Sequence, residues 1–291
     1  MQIGLHVPVF AWPGGPEALA DHLASVARAA EDAGFGQITV MDHFFALAPE
    51  DGYKLPMLEA YTALGFIAGV TSSIRLGVQV TGVTYRHPGI LIKSMTTLNV
   101  LSKGRAFFGI GAAWFEKEHH AFGVEFPPLK ERFERLEETL QLAHQAFKGD
   151  ASPFRGKYYQ LEEPLLSPMP VTKPRPRIQV GGSGERKTLK LVAKYGDACH
   201  INAPDPATAQ HKLDVLREHC DREGRAYDDV RKTILYTARF TPTADVGARL
   251  ADELAGFAEL GVTDVHVMPP DDPVGYVRGL GEHVVPRLAP L

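Results

Sequence analysis

Short apolar runs recur along the chain at Gln2–Val7, Gln37–Met41, Arg75–Val80, Arg105–Ile110, Arg177–Gly181, Asp197–Asn202, Thr233–Ala238 and Thr263–Met268. Most read as continuous apolar stretches, as in VQV, FFGI and VHVM, which suits parallel strands covered on both faces. Between them lie segments with helical spacing. Leu129, Phe133, Leu136, Leu140, Ala143 and Phe147 recur at steps of four and three, opposite a face of Glu and Arg, so Leu129–Phe147 is an amphipathic helix. Pro88 opens a helix carrying Leu91, Met95 and Leu98, where a missing N–H costs nothing. Gly34 and Gly261 sit where a helix should stop just before a strand.

Eight runs alternating with helices predict an α/β fold of the (β/α)8 TIM-barrel type, with right-handed crossovers keeping every strand parallel. Spacing is uneven once. The aromatic and then proline-rich stretch within about 149–176 reads as an insertion after the fourth helix, a small hairpin lid on one barrel domain spanning 1–291. A doubly wound open sheet is the alternative, but no GxGxxG comes after the first run.

The chain has 291 residues, with Lys+Arg 31, Asp+Glu 35 and a net charge of −4, and no basic run to neutralise phosphates. Nucleic acid is therefore not an expected partner. No apolar stretch approaches the ~20 residues of a spanning helix, and the first Lys or Arg is Arg28, which leaves no basic n-region for a signal peptide. Two cysteines, Cys199 and Cys220, make neither a disulfide framework nor a thiolate metal site. A cytoplasmic location is the expectation.

In a barrel of this kind the site is built at the carboxyl ends of the strands. The residues just past each run are polar, aromatic or glycine-rich: His6 and Trp12; Met41-Asp42-His43-Phe44; Thr81 to Pro88; Gly109 to Glu116; Gly181 to Glu185. Later runs carry His200 and Asn202, then Tyr236 and Arg239, then His266 and Met268. Gly181, Gly182, Ser183 and Gly184 end a strand and open a helix, offering backbone donors to a phosphate; a plain glycine turn is the alternative. An imidazole just past a strand, as at His43, suits proton transfer near neutral pH. Helix-dipole complementarity accounts for Glu116 and Glu118, with an active-site function for Glu116 as the alternative. His119 and His120 belong to a solvated helical face, since their spacing matches no zinc signature, and no metal is expected.

Several segments together resemble the luciferase-like monooxygenase superfamily, and within it the coenzyme F420-dependent oxidoreductases. They are DHFF at Asp42–Phe45, TSSIRLGVQVTGVTYRHPG at Thr71–Gly89 and LSKGRAFFGIGAAWFEKEHHAFG at Leu101–Gly123. FPPLKERFERLEETL at Phe126–Leu140 and PRIQVGGSGERKTLKLVAKYGDACH at Pro176–His200 complete the match over about the first two-thirds of the chain. The resemblance implies that Asp42 and His43 lie beside a deazaflavin ring, with His43 handling the proton. It places a bulge at Gln79, Val80 and Thr81 behind the ring, commonly with a non-prolyl cis bond, here Gln79–Val80. Gly111, Ala112, Ala113 and Trp114 would flank the ring, although relatives commonly carry Gly where Ala113 stands, and the Gly181–Gly184 turn would hold the phosphate. Arg86 either pairs with an anion or braces the rim; His6, His200 and His266 face either the pocket or the core.

The expected function is hydride transfer between F420 and a small organic substrate. An FMN-dependent monooxygenase using a partner reductase and oxygen is the nearest rival, and a non-catalytic F420- or flavin-binding carrier is the rival of another class. With mainly Arg239 to bind a phosphate on the later rim, an alcohol, aldehyde, enone or aromatic substrate is favoured over a sugar phosphate. A homodimer is implied by the family alone.

Overall fold

The computed structural model describes residues 1–47, 53–237, 241–270 and 272–288. In chain order its strands are β1 (Gln2–Val7), β2 (Gln37–Val40), β3 (Arg75–Val78), β4 (Thr81–Gly82), β5 (Ala106–Gly111), β6 (Phe154–Arg155), β7 (Gln160–Leu161), β8 (Ile178–Gly181), β9 (Ala198–Asn202), β10 (Arg231–Tyr236) and β11 (Val262–Val267). Its α-helices are α1 (Leu19–Asp32), α2 (Ala60–Val70), α3 (Pro88–Leu101), α4 (Glu116–Phe122), α5 (Leu129–Phe147), α6 (Thr188–Tyr195), α7 (Pro206–Glu223), α8 (Ala244–Glu259), α9 (Pro273–His283) and α10 (Val285–Leu288).

Strands β1, β2, β3, β5, β8, β9, β10 and β11 close into a ring through parallel pairings, with β3 against β5 completing it. This is the expected (β/α)8 barrel. Strand β4 continues β3 beyond a cis Gln79–Val80 peptide and pairs with β5. The two glycine stops also hold: α1 and α8 are each followed by a left-handed glycine, Gly34 at φ 79° and Gly261 at φ 81°. Of the expected seventh strand, Ala238 lies outside the described residues.

One expectation about the strands needs correction. They alternate, and the two sides differ in chemistry. Ile3, Leu5 and Val7, Ile38 and Val40, Leu76 and Val78, Ile178 and Val180, Val265 and Val267 are buried in the apolar core shared with the helices. The intervening residues face one another inside the barrel and are largely polar. Gln37 donates to Asp264 at 3.2 Å, Arg231 holds Asp264 at 2.7 Å, and His6 Nδ1 lies 2.9 Å from Thr39 Oγ1. Continuous apolar runs such as VQV hid this, because one polar residue per pair of apolar ones is easily read as noise.

The insertion contains the hairpin, β6 antiparallel to β7. Its turn is pinned to α5, where Glu138 accepts the N–H groups of Lys157 at 2.7 Å and of Tyr158 and Tyr159 at 3.0 Å. The hairpin is anchored on the barrel's flank. No residue of 149–176 lines the cleft at the barrel mouth, so the hairpin is not a lid over it.

Candidate active site

A cleft of about 540 Å³ opens at the carboxyl end of the barrel. Its lining includes Asp42, His43, Gln79, Val80, Thr81, Gly111, Ala112, Ala113, Trp114, Gly181, Gly182 and Gly184. The residues singled out at sequence level are thus brought together from four separate loops. Ser183 is the exception. Its hydroxyl turns away to accept the Asn202 N–H at 3.1 Å.

His43 projects from the loop after β2, with Trp114 and Phe115 packed edge-on against its ring at 5.7 and 5.9 Å. Its Nδ1 lies 2.6 Å from Glu118 Oε1. Glu118 is fully buried and also receives the Tyr85 hydroxyl and the N–H groups of Phe44 at 2.7 Å and Phe45 at 3.3 Å. Burial alone would raise its carboxyl, yet the hydrogen bonds from His43, Tyr85 and Phe44 hold it below the ordinary value, so it is a carboxylate. The sequence reading assigned Glu118 to the helix dipole. Glu116, for which a site function was the alternative, instead pairs with exposed His120 at 3.2 Å. His119 also departs from expectation. It is buried, with Nδ1 at 2.8 Å from Phe115 O and Nε2 at 2.7 Å from Thr84 Oγ1, and braces the loop that carries Tyr85.

Asp42 reaches the same cleft, but both its oxygens are engaged. Arg86 Nη1 and Nη2 donate to it at 2.8 and 2.9 Å, and Gly82 N–H at 3.1 Å. Arg86 also donates to Glu59 and lies over the Tyr61 ring at 5.1 Å. Burial pushes the Asp42 carboxyl up against the pull of Arg86. This bidentate brace locks the loop after β2 to the loop after β4. Arg86 is therefore a rim brace, and Asp42 positions the backbone that carries His43.

The floor is the top of the polar barrel interior. The Gln79 amide nitrogen lies 2.5 Å from His200 Nδ1 and 3.3 Å from His266 Nδ1, and Gln79 Oε1 accepts from Thr39 at 2.9 Å. His6 and His200 line the cleft, whereas His266 is sealed beneath it. Burial pushes all three imidazoles down, His6 to about 3, His266 to about 4 and His200 well below its ordinary value, so they are neutral.

The wall is backbone and Val80. A Cβ at Gly181 would stand 2.5 Å from Val80 Cγ1, and one at Gly111 2.8 Å from Val80 Cγ2. These glycines admit Val80 and leave a smooth slot beside it. Ala113 takes a left-handed φ of 58°, and its carbonyl is held by buried Arg132 at 2.5 Å. At the far end Gly182, at φ 122°, already donates its N–H to His200 O at 2.9 Å. The expected direct opening of a helix by the glycine turn does not occur. Helix α6 starts only at Thr188, whose side chain lines the cleft beside Gly182 and Gly184. Thr188, Leu129 and Phe133 are lining residues outside the rim segments legible in the sequence; the last two belong to the helix face read as core, while Tyr85 comes from the Thr81–Pro88 rim segment.

Residues 1–271 match the family model described as luciferase-like monooxygenase. The chain belongs to this family. An F420-dependent glucose-6-phosphate dehydrogenase of Kineococcus radiotolerans is 28% identical over 270 residues, 92% of this chain and 77% of that protein. Among solved structures, an F420-dependent secondary alcohol dehydrogenase superposes with a TM-score of 0.83 at 18% identity, covering 99% of this chain and 98% of the other. A long-chain alkane monooxygenase does so at 0.81 and 15% identity, covering 99% and 91%. Both superpositions establish the shared barrel.

Proposed function

We propose that this member of the family is an oxidoreductase that passes a hydride between coenzyme F420 and a small, neutral organic substrate. The observation that carries the reading is His43, held by Glu118, facing a smooth slot bounded by Val80 and the Gly111 and Gly181 backbone. Kinship with F420-dependent dehydrogenases selects the cofactor.

The residues fit such a group. The glycine-bordered slot has room for a flat ring, and Thr188 with the backbone N–H groups of Ser183 and Gly184 would hold its phosphate by local donors, which an acidic chain of net charge −4 requires. When bound, the deazaflavin supplies a carbon that gives or takes a hydride. The protein orients the substrate, excludes water with Trp114, Leu129 and Phe133, and exchanges the hydroxyl proton at His43. Among the described residues no Lys or Arg lines the cleft, which favours an alcohol, aldehyde, enone or aromatic compound over a sugar phosphate. Arg239 lies outside the described residues.

Titration of the protein with F420 and with FMN tests the cofactor. F420 is expected to bind the more tightly, followed by fluorescence, and to turn over with a neutral alcohol or enone. Much tighter FMN binding would transfer the reading to the oxygen-using monooxygenases, and F420 binding without any turnover would make the protein a carrier.

We also propose a homodimer. Helices α2 and α3 present an outer face with Phe66, Ile90 and Leu101 at 38%, 64% and 69% exposure. Helix α2 carries no charged residue and α3 only Lys93, whose ammonium donates to Ser167 O at 2.6 Å. An uncharged apolar face of this kind fits its own copy across a two-fold axis. Sedimentation should show a dimer that Ile90→Asp with Leu101→Asp dissociates; a monomeric wild type would refute it.

A further inference from the structure

We infer that Glu118 is a positioning residue that fixes the tautomer of His43, with the proton on Nδ1 and the Nε2 lone pair directed to the reacting hydroxyl. The inference deepens the proposed function and rests on it only for the chemistry that Nε2 performs.

The hydrogen-bond inventory of the carboxylate forces the assignment. Glu118 Oε2 accepts two backbone N–H groups, from Phe44 and Phe45, so that oxygen is tied to the turn after His43. Oε1 meets the Tyr85 hydroxyl and His43 Nδ1. An ionised carboxylate has no proton to give. The contact at 2.6 Å is therefore bonding only if Nδ1 carries the hydrogen. In the neutral ring this leaves Nε2 unprotonated, and among the described residues nothing is hydrogen-bonded to it.

Among the described residues Glu118 is the one charged group hydrogen-bonded to the ring. Asp42, the neighbouring residue in the chain, has its carboxylate neutralised by Arg86, which also holds Glu59. Tyr85 donates to Glu118 and stays protonated, since burial and Glu118 both push its phenol up. Tyr61 is likewise pushed up by burial, and His6 is held neutral by burial. When a substrate O–H bond breaks, its proton would join Nε2, and a deazaflavin held in the slot would supply the acceptor for the C–H hydride. The imidazolium so formed is paired with Glu118 through Nδ1. In the reverse direction the same Nε2–H returns the proton.

Glu118→Gln separates this from a merely structural function. The two backbone N–H groups at Phe44 and Phe45 would hold the glutamine oxygen in place of Oε2. The new NH2 would then face Nδ1 as a donor, so the proton must move to Nε2. Nitrogen-15 spectra of the unloaded protein, with the His43 signals identified by their loss in His43→Asn, should show Nδ1-protonated His43 in the wild type and Nε2-protonated His43 in Glu118→Gln. Under the proposed turnover with F420 and a neutral alcohol, Glu118→Gln should lower kcat by about 10²–10⁴-fold with KM little changed, as a wrong-tautomer swap does in a Ser-His-Asp triad. An unchanged tautomer in Glu118→Gln, with only a loss of thermal stability, would reduce Glu118 to a brace of the turn and overturn the inference. If that variant does not fold, the wild-type spectrum decides: Nε2-protonated His43 near neutral pH overturns the inference. The spectra need neither cofactor nor substrate, so they still assign the tautomer if the F420 reading fails.

Discussion

His43→Asn is expected to lower kcat/KM for hydride transfer by about 10²–10⁴-fold, the usual contribution of a positioned acid–base group, while F420 still binds. The basis is geometric. His43 is the lining imidazole that combines access to the cleft with a charged partner, Glu118, able to balance an imidazolium. His6 and His200 also line the cleft, but burial keeps them neutral, and among the described residues no carboxylate is hydrogen-bonded to either ring. Asparagine is close in shape to one edge of the ring, so the loop braced by Asp42 and Arg86 should persist. Stopped-flow absorbance of the bound cofactor, with a neutral alcohol as donor, measures the step directly. Turnover equal to wild type would remove His43 from the chemistry and direct attention to the barrel floor.

The second large effect concerns acid stability. His6, His200 and His266 are enclosed in the barrel, with imidazoles held far below the ordinary value of 6.5, two of them at about 3 and about 4. In the unfolded chain each takes up a proton as pH falls through 6.5; in the folded protein His266 does so only at about 4 and His6 at about 3, and burial holds His200 well below its ordinary value. Stability is therefore complete above the unfolded value and is lost as pH falls below it. Each histidine contributes about 1.4 kcal/mol per pH unit of that loss, so the three together contribute about 4 kcal/mol per pH unit. Burial also lowers His119 and His144, which act in the same direction. Carboxylates held low, such as Glu118 and Asp264, lose their contribution only below their ordinary values of 4.5 and 3.8, outside this window. Against a typical total of about 5–15 kcal/mol, the urea midpoint should fall steeply between about pH 6.5 and pH 5. His266→Asn should flatten that slope by about one proton. A midpoint that stays constant over this interval would mean that the interior accommodates imidazolium.

Burial is the first cause for all three, and at two of them the Gln79 amide adds to it by lying within bonding distance of His200 and His266. A donor N–H facing Nδ1 needs a lone pair there, and protonation replaces the lone pair with a second hydrogen. The top of the barrel interior thus carries a neutral polar cluster of Gln79, His200 and His266 where many barrels use branched aliphatic layers, while the Arg231–Asp264 ion pair lies in the same interior. The floor beneath the slot, where Gln79, His6 and His200 lie, is consequently polar but uncharged.

Much of the site was legible in the chain itself. The order of strands and helices, the helix stops at Gly34 and Gly261, and the polar and glycine-rich segments that follow the strands, with Asp42-His43 and Gly181 to Gly184 among them, are local signals, whereas Gln79-Val80-Thr81 and Gly111 to Trp114 were singled out by the family resemblance. Local signals depend on which residues can turn, approach closely or be buried at one point of the chain, and a barrel then gathers its strand ends onto one rim. The choice between Glu116 and Glu118 is of another kind. They stand two residues apart at the start of α4, about 200° around a helix, and composition says nothing about which of them faces inward. The packing of α4 against the loop after β2 settles it, by placing Glu118 on His43 from 75 positions away. The same holds for Arg86 on Asp42 and for His6, His200 and His266, whose inward direction comes from strand registers across the closed ring. Local periodicity and backbone freedom are enough to specify the barrel and the loops that meet at its mouth, and both are written residue by residue along the chain. Which charge touches which ring is not written there, because it depends on the rotational phase of one folded element against another distant in sequence.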